Sequence, residues 1–197
     1  MPGPAWAVLC QGRGFHLVGI AALAWSIARR GVSWESSLGL SWRGFGRRCR
    51  QGLAWYLGIL PVVFGAAFVY QIILNRCGYP GSIQDVILIF LESSSGGFKA
   101  LLLLLAIGVA PLMEEALFRG LALPLLVRLV GVWPAITLTA LGFAGIHFHA
   151  SSLAPLFVLA MGFAAAYIQT RSLWVPILMH ALFNATNLGL IILAQIY

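Results

Sequence analysis

Negative charge is scarce in this chain: five Asp and Glu residues stand against twelve Lys and Arg in 197 positions. Charged residues together make up 9% of the sequence, where a soluble domain carries about 25%. With 61% hydrophobic residues and a mean hydropathy of +0.95, too few polar side chains remain to cover a water-facing surface, which excludes a soluble globular domain. Cysteine is scarce too. Cys10, Cys49 and Cys77 are odd in number and form no C-x-x-C pair, which argues against a disulfide framework and a thiolate zinc site; buried, inert thiols are expected. The first ten residues carry no basic stretch ahead of their apolar ones, and Ala7-Val8-Leu9-Cys10 lacks the small residue that a lipoprotein cleavage site needs before its cysteine. No cleaved signal is expected. Internal repeats are absent, and the one low-complexity tract is the leucine run 101–105.

Apolar runs are what the chain has. A spanning helix takes about 20 such residues, so the length allows about six spans and no second folded domain. The expected fold is all-α, a polytopic transmembrane bundle forming one membrane domain over 1–197. The spans are expected at 15–28 (extending toward Ala5 if Arg13 snorkels), 52–74, 100–127, 132 to about 149, 153–169 and 173–196. Pro61 is expected to kink the second. Between the second and third, 83–91 is apolar but too short to cross, so an interfacial or re-entrant turn is expected within the 75–99 loop.

The basic residues follow topology. Arg29, Arg30, Arg43, Arg47, Arg48 and Arg50 fall between the first two runs, the pattern that holds a loop in the cytoplasm and against anionic lipid. With Arg128 and Arg171 on the same side, both termini are expected outside, in an integral protein of a bacterial-type cytoplasmic membrane. Trp55, Trp133 and Trp174 then mark one boundary. The segment 31–51, with Trp34, Leu38, Leu40, Trp42 and Phe45 among its arginines, suits an interfacial stretch or a solvated loop. No nucleic-acid partner is needed to explain the charge. Ala160, Gly162, Ala164 and Ala166 give the fifth span a smooth packing face.

Against this background the stretch 111–120 is costly, because it puts Glu114, Glu115 and Arg119 in an otherwise apolar run. An ionisable residue at that depth costs about 2.5–3.5 kcal/mol on insertion scales, and such residues mark functional sites or pair with one another. His147, His149, His180 and Asn184 also fall within spans. His149 lies near a boundary and has a packing reading, and the Asn184-Ala185-Thr186 acceptor pattern lies mid-span, which rules out glycosylation. Counted from the arginine-marked ends, Glu114 lies about 21 Å deep, His147 about 24 Å and Asn184 about 18 Å, with His180 one turn away at roughly 12 Å. Three helices therefore bring polar groups to compatible heights. Glu115 and Arg119, at i and i+4, can pair on one face, whereas Glu114 is rotated about 100° from that pair. Glu114 is the better candidate base, since burial without a paired cation suits proton abstraction from water. Pro111 frees a backbone carbonyl in the preceding turn, which is expected to open the helix to that water.

Glu114-Glu115-x-x-x-Arg119, Phe143-x-x-x-His147 and His180-x-x-x-Asn184, in that order on successive apolar helices, resemble the three motifs of the CPBP family (CAAX proteases and bacteriocin-processing enzymes, also called Abi). The resemblance covers a catalytic core of about 100–197. It implies an intramembrane endopeptidase acting on a membrane-associated protein or peptide, with Glu114 and His147 activating water and His180 and Asn184 binding the oxyanion. Glu115 and Arg119 would order the helix and the charge of the site. No cofactor is favoured; the alternative is Zn²⁺ held by Glu114, His147 and His180 with an open position. The rival functions are a non-catalytic immunity or scaffold protein, and a proton-coupled transporter using the buried glutamates.

Overall fold

The structure, a computed structural model, describes residues 38–196 apart from Pro80, together with scattered positions between 19 and 35. The expected first span, 15–28, lies for the most part outside the described residues, as do Cys10, Arg13, Arg30 and Trp34. Among the described residues every regular element is helical: α1 Phe45–Arg76, α2 Asp85–Glu92, α3 Gly96–Val130, α4 Val132–Gly145, α5 Leu153–Thr170 and α6 Trp174–Ile196, with a short 3₁₀ turn Ala150–Ser152 ahead of α5. The fold is all-α. Helices α1, α3, α5 and α6 are long and apolar enough to cross a bilayer.

Local chemistry sets most of these ends. The Ser95 hydroxyl accepts the Phe98 N–H and starts α3 ahead of the apolar run, a standard N-cap. Gly131 ends it at φ 84°, in the left-handed region that glycine enters without a Cβ penalty. The apolar stretch at 83–91 becomes α2, too short to span. Helix α1 runs without a break through Pro61.

Three expectations are corrected. The fourth span does not reach residue 149: α4 stops at Gly145, and Phe148 N–H bonds Gly145 O in a tight turn. At 14 residues it covers about 21 Å, short of a hydrocarbon core of about 30 Å, and His147 sits in the turn beyond it. The segment before α1 is not wholly interfacial. Leu38 is buried against Ala116, Leu173 and Ile177, because the Arg48 guanidinium ties Gly39 O and Ser172 Oγ together and Leu173 N–H bonds Leu38 O. Trp42 stays exposed and packs on Trp174 at 4.7 Å. The cysteines that are described are not buried either: Cys77 caps α1 in an exposed turn and Cys49 is half-buried.

Helix α5 is the axis of the bundle. Ala160, Gly162, Ala164 and Ala166 are buried, and α1 comes so close that a Cβ on Gly162 would lie 2.8 Å from Ile59 Cγ1. Phe118, Phe143, Phe163 and Met179 fill the centre. The outer face is apolar, with Leu57, Phe68, Leu104, Leu129, Leu138 and Leu193 exposed, which is an aggregation surface in water and the natural contact with lipid chains. Gly162→Val is expected to lower stability by about 1–3 kcal/mol through overpacking. Melting in detergent measures it, and Ile59→Ala in the same chain should recover part of the loss.

Candidate active site

Helix α3 carries the charged stretch between two π segments, Leu105–Val109 and Ala116–Ala122. Each closes just ahead of a proline, Pro111 or Pro124. In the first, Ala110 N–H reaches back five residues to Leu105 O, so it does not serve Ala106 O. The next residue is Pro111, which has no N–H to offer. Ala106 O is therefore released from the ladder, and Asn184 Nδ2 of α6 donates to it at 2.8 Å. The expected opening to water is thus an opening to a side chain. That bond fixes the Asn184 amide and uses one of its two N–H groups.

Glu115 and Arg119 are fully buried and pair at 3.0 Å. The second guanidinium nitrogen donates to Ala160 O of α5 at 2.8 Å, and the guanidinium carbon lies 4.9 Å and 5.1 Å from the ring centres of Phe143 and Phe163. Arg119 thus spans α3, α4 and α5, its charge met by one carboxylate, one carbonyl and two π faces. Glu115 Oε1 also meets His180 Nδ1 of α6 at 3.0 Å. His180 stacks on Phe163 and turns its Nε2 toward Glu114 Oε2, 3.9 Å away. The sequence is Arg119, Glu115, His180, Glu114, a line of alternating partners running from the core outward.

His147 reaches the site from the turn after α4. Its Nδ1 lies 2.7 Å from Phe143 O; a carbonyl only accepts, so Nδ1 carries a proton, the tautomer whose lone pair lies at Nε2. Phe143 at i−4 is thereby the residue that sets the tautomer. Phe148 adopts φ 48°, a left-handed conformation uncommon outside glycine, and carries the chain from His147 to His149. His149 bonds Ser152 Oγ at 2.8 Å and Ser82 Oγ at 3.0 Å.

These groups surround a cavity of about 790 Å³. Glu114, His147, His180 and Asn184 line it, while Glu115 and Arg119 lie behind its wall. Val63 and Phe64 of α1, Val86 and Ile87 of α2, and Leu105 and Phe183 make it mainly apolar. Gln84, His149, Ser152 and Asn187 also face it and were not assigned from the sequence. Asn187 had one readable signal, its i+3 spacing from Asn184; Ser82 and Gln84 had none, since only folding of the 78–84 loop brings them to the turn at 149–152. Among the described residues no three His, Cys, Asp or Glu side chains converge at metal-holding spacing. As placed, Glu114, His147 and His180 are not so grouped.

Residues 96–186 match a family model, that of the Rce1-like type II CAAX prenyl endopeptidases. This segment is similar to that family, in agreement with the resemblance read from the motifs. No curated protein and no solved structure matches the chain. The Rce1-like segment contains all six motif residues and ends two residues past Asn184. The cavity walls from α1 and α2 lie outside it.

Removing one member of a buried pair strands the other charge, at a cost of about 3–5 kcal/mol. Arg119→Ala is accordingly expected to unfold the protein at markedly lower temperature in detergent, and Arg119→Met with Glu115→Leu to lose much less.

Proposed function

We propose that this protein is an intramembrane endopeptidase that hydrolyses a peptide bond of a membrane-associated protein or peptide with water activated by Glu114 and His147. The observation that carries this reading is the convergence of Glu114, His147, His180 and Asn184 on one largely apolar cavity. Water held between the Glu114 carboxylate and His147 Nε2 gives up a proton to the Glu114 carboxylate as its oxygen attacks the scissile carbonyl. The resulting oxyanion accepts from the uncommitted Asn184 N–H and from His180 Nε2–H. Collapse of the tetrahedral adduct breaks the C–N bond, and the proton first taken from water goes to the leaving amine.

Since Nδ1 already donates to Glu115, donation from Nε2 requires both ring protons on His180. Glu115 and Arg119 are positioning residues, Glu115 aiming His180 and Arg119 holding Glu115. Given the positive-inside rule, the end carrying Arg47, Arg48 and Arg171 faces the cytoplasm.

The test is cleavage of reconstituted membrane substrates, read by mass spectrometry as a new terminus. Glu114→Ala and His147→Ala are expected to reduce cleavage by about 10²–10⁴-fold with unchanged melting. Full cleavage by either variant would sink the proposal and favour a non-catalytic role; proton flux without cleavage would favour transport. Cleavage is expected to survive a zinc chelator. Loss of cleavage on chelation, restored by added zinc, would instead support the metal alternative.

A further inference from the structure

Asn187 is a polar side chain in the spanning part of α6 that the mechanism above does not use. It faces the cavity one turn beyond Asn184, and their spacing of three puts both on one helical face. The other polar residues there are tied to the loops at the cavity mouth: Gln84 Nε2 donates to Ser152 Oγ, and both ring nitrogens of His149 meet serine hydroxyls. Asn187 differs. Its single hydrogen bond among the described residues is Nδ2 to Phe183 O at 3.1 Å, a carbonyl of its own helix. Because that carbonyl only accepts, the amide must sit with Nδ2 against the helix, which leaves Oδ1 without a donor among the described residues.

A peptide entering an apolar chamber gives up water around its own N–H and C=O groups, and each group left unmatched is costly. The groups at Glu114, His147, His180 and Asn184 serve the reacting bond alone. Three residues along α6 rise about 4.5 Å, and an extended chain advances about 3.3 Å per residue. Asn187 is therefore set one to two residues from a carbonyl held at Asn184. We infer that Asn187 is a specificity residue that accepts, at Oδ1, a backbone N–H of the substrate one or two residues from the scissile bond, selecting a locally extended peptide. The inference rests on the proposed peptidase reading.

The test uses a quenched fluorescent peptide with an uncharged apolar core, in phosphatidylcholine vesicles, cleaved by the unmodified chain and not by Glu114→Ala. Each backbone N–H near the cut is replaced in turn by an ester oxygen, which deletes one donor. The unmodified chain is expected to lose about tenfold in kcat/KM at one ester position. Asn187→Leu and Asn187→Ala are expected to lose about as much on the all-amide peptide, and to show no further loss at that ester. A merely structural role would lower all peptides together and leave the ester effect in place. If both variants cleave the all-amide peptide as the unmodified chain does, or both keep the ester loss, the assignment of Asn187 falls while the peptidase reading stands. If no peptide is cleaved in a Glu114-dependent way, both fall.

Discussion

The buried Glu115 carboxylate is the constraint on which the rest of the site depends. Its Oε1 takes a hydrogen bond from Arg119 and another from His180, so one atom joins the charge in the core to the ring at the cavity wall. Neither glutamate can be assessed alone. Glu115 is stabilised by Arg119, Arg119 by Ala160 O and the faces of Phe143 and Phe163, and His180 is aimed by Glu115 toward Glu114. An apolar replacement of the whole group would pack as well or better. Its retention makes sense where a set of polar groups must be held in fixed orientation beside a largely apolar cavity.

Helix α3 gains its polar surface by departing from α-helical register. Two π segments, each ended by a proline, release carbonyls that a regular helix would consume, and one of these, Ala106 O, orients the amide of Asn184. Such segments often accompany functional sites because they free backbone groups inside an otherwise satisfied helix. Here the irregularity couples α3 to α6 at the depth of the glutamates. The cavity is then finished by α1 and α2, which lie outside the Rce1-like segment. Catalytic groups and the walls that meet a substrate thus come from different parts of the chain.

Much of this was legible before folding. The class followed from the poverty of charge, four of the spans from the lengths of apolar runs, and the Glu115–Arg119 pair from the i, i+4 spacing. The end of α4 was not legible: Ile146 to His149 continue an apolar pattern, and the left-handed turn falls at Phe148, an exposed residue, with no glycine or proline at that position. The buried position of Leu38 escaped for a similar reason, since it depends on Arg48 reaching Ser172 more than a hundred residues away.

The sequence by itself determined that the chain belongs in a bilayer and that it carries three polar motifs in order along its apolar runs, because hydrophobic length and helical period are local properties. Only the tertiary structure decided the direction in which each polar atom points. The His147 tautomer, the aim of His180, the bond held by Asn184 and the open acceptor of Asn187 all depend on carbonyls and carboxylates whose availability is set by helix ends, π segments and neighbouring helices. Those are questions of where the backbone lies, which no spacing along a single helix specifies.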